Sequence, residues 1–100
     1  MRLTKLNSNA HVLDTTTRLS GNRRTLFSYE TPVGYYWAGR VWVLTKDGIN
    51  AWMADRGLPT QTSYRTTRKH QKAWLESLKN CGLLVNDEFI HWTDHPHQLQ

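Results

Sequence analysis

Two short apolar runs on either side of the dipeptide Ala38-Gly39 constrain the fold of this chain more than any other feature. Residues 33–37 and 40–44 are rich in β-branched and aromatic side chains, which favour strands, and a two-residue connection is typical of a β-hairpin. Such a loop would place Trp37 opposite Arg40. Both faces of the hairpin then carry bulky side chains, so we expect it to lie in the middle of a sheet.

The residues before this hairpin predict a second one. Residues 15–20 are rich in β-branched threonine, which favours a strand, and residues 23–29 return in a similar pattern. Gly21-Asn22 between them suits a two-residue turn, because glycine accepts a positive φ at the first turn position. Residues 10–13 are a further candidate strand. Pro32 either breaks the run that follows or marks an edge position.

A short helix is predicted over residues 48–56. Ile49, Trp52 and Met53 fall at i, i+3 and i+4, which is the spacing of one buried helical face, and Asp47 can cap the helix. Gly57 and Pro59 follow, as expected beyond a helix end.

A longer helix is predicted from Thr66 or Thr67 to Asn80. Either threonine can serve as its N-cap, and Gly82 stops it. Its apolar face is formed by side chains at i, i+4 and i+7, with the cysteine expected to be buried as a small hydrophobe. The residues of that face are Trp74, Leu78 and Cys81.

The remaining segments complete an α+β prediction. Residues 83–85 and 88–92 resemble a last hairpin around Asn86-Asp87. Residues 1–9 are expected to be either a flexible arm or a short edge strand, and residues 93–100 are expected to be flexible. We therefore predict a mainly antiparallel sheet of four to six strands with one long and one short helix. Parallel pairs are not expected, because the strands come in hairpins rather than alternating with helices.

The composition fits one domain over residues 1–100. Hydrophobic residues make up 38% and charged residues 21%, which is typical of globular rather than disordered chains. The formal net charge of +5 and the pI of about 9.7 favour polyanionic partners. Cys81 is the single cysteine, which fits a reducing compartment, and no apolar run suits a signal peptide or a membrane span. We expect a cytoplasmic protein without membrane contact.

Basic residues concentrate in two places. Three arginines flank the turn predicted at Gly21-Asn22, and four cations crowd the start of the long helix, where the macrodipole disfavours positive charge. Because phosphate contacts need only suitably spaced cations, this pattern predicts affinity for nucleic acid without base specificity. The predicted binding residues are Arg18, Arg23, Arg24, Arg65, Arg68, Lys69 and Lys72. The alternative is a solvated helix face and a charged hairpin that resists aggregation.

The aromatic residues of the central hairpin also allow two interpretations. In the predicted register Tyr35 faces Trp42, and Trp37 and Arg40 lie on the same face. Interleaved rings and cations are typical of surfaces on which unpaired bases stack. Large rings in a small domain are more often buried, however, so we expect this face to be core packed by the short helix.

Metal binding and catalysis have little support in the sequence. His91, His95 and His97 are close in the chain and form a weak candidate for loose metal binding, but a structural zinc site usually needs four rigidly held ligands. We predict no cofactor. Motifs of hydrolases, nucleotide-binding loops and metalloproteases are absent from the sequence, so we expect no catalytic residues.

Two segments resemble a family of short phage and prophage proteins. Phe27-Ser28-Tyr29-Glu30-Thr31-Pro32-Val33 is similar to that family's strand Tyr-Ser-Tyr-x-Thr-Pro-Val. Tyr64-Arg65-Thr66-Thr67-Arg68-Lys69-His70 is similar to its helix start Ser-x-Thr-Thr-x-x-His. This chain has Phe27 in place of the first tyrosine and carries an extra segment at residues 47–61.

The family has no assigned activity, so the resemblance implies a phage origin and a small α+β domain but no catalytic role. It also implies that Thr66, Thr67 and His70 act together at the helix start. A threonine would cap the helix while His70 packs or bonds near the Tyr-Thr-Pro strand.

Two functions from different classes follow. The first is a phage-type accessory protein that binds nucleic acid through the basic hairpin and the basic helix face. The second is an inhibitor or adaptor that blocks a host enzyme or defence complex in the host cytoplasm, through exposed aromatics such as Trp37 or Trp92. The sequence leaves the partner and the oligomeric state open.

Overall fold

The described residues, 2–7, 9–60 and 63–96 of a computed structural model, form one six-stranded sheet and two α-helices. The strands follow one another across the sheet in chain order, and each neighbouring pair is antiparallel except the last. The fold is α+β, as predicted. The elements are β1 (Arg2–Asn7), β2 (Ala10–Asp14), β3 (Arg23–Ser28), β4 (Thr31–Trp37), β5 (Arg40–Leu44), α1 (Lys46–Asp55), α2 (Arg65–Asn80) and β6 (Ile90–Thr93).

The central hairpin has the predicted register. Trp37 lies opposite Arg40, and Tyr35 lies opposite Trp42. The two turn residues have φ values of 53° and 83°, and a two-residue turn with both φ values positive is of type I′, whose twist matches that of paired strands. The loop length therefore fixes which side chains share a face.

The first hairpin lies earlier in the chain than predicted. β2 pairs with β3, and residues 15–22 form a loop instead of a strand. In that loop the Thr16 amide donates to Asp14 Oδ1 at 2.9 Å, and the Ser20 amide donates to Thr17 Oγ1 at 2.9 Å. These side chains satisfy backbone amides locally and so compete with strand pairing. β-Branched composition alone was a misleading signal here.

The first and last described segments both belong to the sheet. Residues 2–7 form the edge strand β1 and pair with β2, so the edge-strand alternative for this segment is correct. Thr93, at the start of the tail expected to be flexible, belongs to β6 and is buried. The prediction for residues 97–100 lies outside the described part of the chain.

The helix ends differ from the predicted caps. Thr45, not Asp47, caps α1, and its Oγ1 accepts from the Gly48 amide at 3.2 Å. α2 begins at Arg65, and the residue before it makes no side-chain capping bond, so neither Thr66 nor Thr67 is a cap. Cys81, expected to be buried, follows α2 and is exposed.

The last strand was also predicted with the wrong partner. Residues 83–86 do not form a strand, and Asn86 begins a 3-10 turn, Asp87–Phe89, with its side chain accepting from the Glu88 amide. β6 then runs parallel to β5. A parallel partner requires a crossover connection, which α1 and α2 supply between β5 and β6. The prediction of a mainly antiparallel sheet is confirmed, whereas the expectation that no parallel pair occurs was wrong for β5 and β6.

α2 packs across one face of the sheet, which we call the covered face. Its centre is a row of register partners: Thr4, Val12, Leu26, Gly34, Val43 and Trp92. A Cβ atom on Gly34 would lie 2.5 Å from Cζ3 of Trp74, so only glycine lets this α2 ring approach the sheet so closely. Trp74 is almost completely buried. No helix in the described residues is long and apolar enough to cross a bilayer.

Candidate nucleic-acid interface

A second row of side chains crosses all six strands on the opposite side of the sheet. Successive residues of a strand point to opposite faces, so the neighbours of the covered row project away from α2. The strand register aligns them into one line: Leu3, Leu13, Thr25, Tyr35, Trp42 and His91. We call this side the open face, and it also carries Lys5, His11, Arg23, Phe27, Trp37 and Arg40. At the end of the central hairpin away from its turn it carries Val33 and Leu44, which are buried, and Leu44 packs against α1.

Three rings of this row are in contact. The Tyr35 and Trp42 centroids are 6.1 Å apart, and the Trp42 and His91 centroids are 5.7 Å apart, with the ring planes tilted by 37° and 30°. Tyr35 is only 8% exposed, Trp42 is partly exposed and His91 is exposed. The rings thus become more accessible toward the β6 edge. The expectation that this face of the hairpin is core was correct for Val33, Tyr35 and Leu44, which are buried, and wrong for Trp37 and Arg40, which are exposed; Trp42 is partly buried against the core.

One end of the open face combines an aromatic ring with two cations. The Arg23 guanidinium lies over the Trp37 ring at 5.0 Å, and Arg40 lies opposite Trp37 across the hairpin. The Trp37 indole Nε1 donates to Ser20 O at 2.9 Å, which ties the ring to the preceding loop while leaving it 41% exposed. Arg23 Nε is buried without a hydrogen-bond partner among the described residues, so the contact with the ring holds this cation in place.

The charge on the open face is of one sign. Its strand residues include Lys5, Arg23 and Arg40, and neither aspartate nor glutamate occurs among them. The ion pairs found within the described residues lie elsewhere: Arg24 with Asp14, and Lys79 with Asp87. The open face therefore presents cations that no carboxylate neutralises.

The arginines of the predicted basic hairpin separate in the structure. Arg18 is exposed in the loop before β3, and Arg23 belongs to the open face. Arg24 points to the covered face, where it is 3.7 Å from Asp14 Oδ2 and its Nε donates to Asn22 Oδ1. The Asp14 pKa lies below its usual value, mainly because of hydrogen bonds from Thr16 and to a smaller extent because of Arg24. Arg24 is thus already paired.

The cations of the predicted helix site lie along the outer side of α2. Arg65, Lys69 and Lys72 are exposed, and no ion pair holds them within the described residues. Arg68 is placed differently, since its guanidinium lies over the Trp92 ring at 4.3 Å. The stripe is available to phosphates, and the exposed Trp92 ring lies beside it under Arg68.

The two predicted basic elements do not form one surface. Arg24 pairs with Tyr36, whose hydroxyl donates to Leu83 O just beyond the C-terminal end of α2. Ser28, four residues along β3 and about 13 Å away, contacts His70 near the N-terminal end of α2. The hairpin arginines and the helix cations therefore lie at opposite ends of α2, and Arg23 is also on the other side of the sheet.

Thr67 and His70, near the start of α2, have a structural role. Ser28 Oγ and His70 Nδ1 are 2.8 Å apart, and Thr67 Oγ1 is 3.5 Å from the same hydroxyl. All three residues are buried, whereas Thr66 is exposed and takes no part. The bond expected between His70 and the Tyr-Thr-Pro strand is therefore present, and it joins the two segments that carry the phage-family resemblance.

Gln71 is a key residue that the sequence analysis missed. It is fully buried, and its Nε2 donates to Val33 O at 3.0 Å and to Leu44 O at 2.8 Å. These two carbonyl groups lie at the end of the β4–β5 hairpin that is away from its turn. The Tyr64 hydroxyl donates to Leu44 O at 2.8 Å and also lies beside Gln71 Oε1. The sequence did contain a signal for this role, since Gln71 lies between Thr67 and Trp74 on the buried face of the helix. A glutamine on such a face needs buried hydrogen-bond partners.

The candidate metal ligands do not come together among the described residues. His91 stacks on Trp42 in the sheet, His95 follows β6, and His97 lies outside the described part. No group of three or more histidine, cysteine, aspartate or glutamate residues is suitably placed for a metal within residues 2–7, 9–60 and 63–96.

Comparison of the chain with protein-family models, with curated proteins and with solved structures found no match.

Proposed function

We propose that this protein is a non-catalytic accessory protein that binds nucleic acid, and that the open face is its main contact surface. The observation that carries the proposal is the combination of accessible rings with unneutralised cations on one face of the sheet. Trp37, Trp42 and His91 supply the rings, and Arg23 and Arg40 supply the charge.

Rings and cations bind different parts of a nucleic acid. Cations contact phosphates through a salt-dependent, sequence-independent attraction. Aromatic side chains stack on bases, and each stacked base contributes about 1–3 kcal/mol as measured by alanine substitution. A face that carries both therefore suits a polyanion with accessible bases better than it suits a phosphate or an acidic peptide alone.

The helix cations support the same function in a secondary way. Arg65, Lys69 and Lys72 add positive potential that attracts a polyanion over a distance of about one Debye length, roughly 8–10 Å at physiological salt. One exposed ring, Trp92, lies near them, whereas several rings in contact lie on the open face, so we assign the helix cations to attraction rather than to the principal contact.

Binding to a host protein is the alternative. It is favoured by the exposure of Trp37 and Trp92, at 41% and 43%, because exposed tryptophans often anchor protein interfaces. The phage origin implied by the two resembling segments is compatible with either function.

Two charge-reversal variants test the proposal. Arg23→Glu/Arg40→Glu alters the open face and Arg65→Glu/Lys69→Glu alters the helix, and each double change lowers the net charge by the same amount. We expect the open-face variant to lose about tenfold or more in affinity for an oligonucleotide, and its salt slope to fall by about 1.4 for two lost phosphate contacts on a single strand. The helix variant should lose about threefold or less.

Equal losses in the two variants would place the contact elsewhere. Absence of binding by the wild-type protein at low salt would remove nucleic acid and leave the host-protein alternative. Because Arg23 packs on Trp37, the single Arg40→Glu variant provides a check in a side chain that is already exposed.

A further inference from the structure

We infer that the ligand of the open face is single-stranded nucleic acid with unpaired bases, an inference that rests on the proposed function and narrows it. Three features of the face carry it: its width, the position of its rings and the arrangement of its cations.

The open face is too wide to enter a duplex groove. Six strands at a spacing of 4.7–4.9 Å span about 24 Å, whereas the major groove of B-DNA is about 12 Å wide and admits one helix or a two-stranded ribbon. Tyr35 lies in β4, two strands inside the β6 edge, and Trp42 lies in β5, one strand inside it. Their rings cannot reach base edges that remain inside a duplex.

The rings are placed to receive bases that are not paired. Trp42 and His91 form a short stack toward the β6 edge, and Trp37 lies at one end of the same face. The ring planes of Trp42 and His91 are tilted by only 30°, so adjacent bases can follow them with a modest change in orientation. Paired bases expose only their edges in the grooves, while unpaired bases expose their flat surfaces.

The cations lie beside the rings. Arg40 is exposed opposite Trp37, and Arg23 lies over that ring, so its guanidinium plane can itself carry a base or contact a phosphate. A single strand that places bases on Trp42 and His91 therefore has phosphate partners, Arg23 and Arg40, in the neighbouring row of the open face.

α2, unlike the open face, is narrow enough to enter the groove of a duplex. It is a single helix of 16 residues with cations along its outer side, and a helix of that kind fits a major groove. Tighter binding to a duplex would therefore indicate that α2 is the contact surface, and tighter binding to a single strand would indicate the open face.

The test is a titration with single-stranded and duplex oligonucleotides of the same sequence and length, in DNA and in RNA, followed by tryptophan fluorescence. We expect the single strands to bind at least about tenfold more tightly than the duplexes. Trp37→Ala/His91→Ala should remove about tenfold or more of single-strand affinity and leave duplex affinity unchanged. Lys69→Glu/Lys72→Glu is the matched control and should weaken duplex binding more than single-strand binding.

The possible failures differ from one another. Equal or tighter duplex binding would overturn the inference while leaving nucleic-acid binding intact. A single-strand preference that survives Trp37→Ala/His91→Ala would also overturn it, because the bases would then lie elsewhere. Absence of binding to every oligonucleotide would overturn the proposed function as well. Circular dichroism and urea unfolding would verify that both variants are folded.

Discussion

The two faces of one sheet differ in burial and in the pairing of their charges, and neighbouring residues of the same strand show the difference. In β4, Gly34 faces α2 and Tyr35 faces the other way. On the covered face the glycine admits a buried tryptophan ring, and the nearby arginine is paired with an aspartate. On the open face the rings are partly accessible and the arginines have no carboxylate partner among the described residues.

This difference between the faces separates the residues that stabilise the fold from the residues that we propose bind the ligand. Burial of Trp74, Leu26 and Val43 removes apolar surface from water, which is the main favourable contribution to folding. Unpaired cations and exposed rings contribute little to folding and are expected where a partner binds. Period-2 alternation along the strands therefore places the residues packed under α2 and the residues proposed to bind on opposite faces of a single layer of backbone.

The largest expected effect is on the covered face. Trp74→Ala should lower the free energy of unfolding by about 3–5 kcal/mol, because it removes a fully buried ring and leaves a cavity over Gly34. Trp37→Ala is the matched change on the open face and should cost about 1–2 kcal/mol, since it removes one hydrogen bond and one cation–π contact. Urea denaturation measures both. Similar losses would show that the open face also acts as core.

A smaller effect is expected where α2 joins the end of the central hairpin. Gln71→Leu keeps most of the side-chain volume but leaves Val33 O and Leu44 O without their amide donor, which should cost about 1–3 kcal/mol. The neighbouring Lys72→Leu change is exposed and should cost within about 0.5 kcal/mol. If the two variants unfold at the same urea concentration, the glutamine does not hold the helix to the sheet.

The smallest expected effect is a pH dependence at the same position. Burial raises the pKa of Tyr64 above its usual value of 10.0, although the Arg68 charge and the Gln71 hydrogen bond act in the other direction. The folded state holds this proton more tightly than the unfolded state, so the associated stability is present below pH 10 and is lost as pH rises through the folded-state pKa. Tyr64→Phe should therefore lose less stability than wild type between pH 9 and pH 11. Parallel curves would contradict this assignment.

The central hairpin could be predicted from sequence because its determinants are local. A two-residue loop at Ala38-Gly39 sets the pairing of Trp37 with Arg40, and alternation then assigns every side chain of the hairpin to a face. The long helix was predictable for a similar reason, since an apolar spacing of 3.6 residues is visible within the segment itself.

The errors arose where partners are distant in sequence or where side chains compete with the backbone. Thr16 and Thr17 have strand-forming side chains, but their hydroxyls bond to the loop that they occupy. The parallel position of β6 depends on how α1 and α2 cross the sheet, which no local pattern records. The predicted basic hairpin was wrong in part for a related reason. Arg23 and Arg24 are adjacent in sequence and were assigned to one binding surface, but successive residues of a strand lie on opposite faces of the sheet.

The most direct test of the account is photo-crosslinking of a 5-iodouracil-substituted single strand to the wild-type protein, with the attached residues identified by mass spectrometry. If the open face binds unpaired bases, crosslinks are expected to Trp37, Trp42 or His91, the accessible rings of that face. Crosslinks confined to α2, with the open-face peptides unmodified, would contradict it.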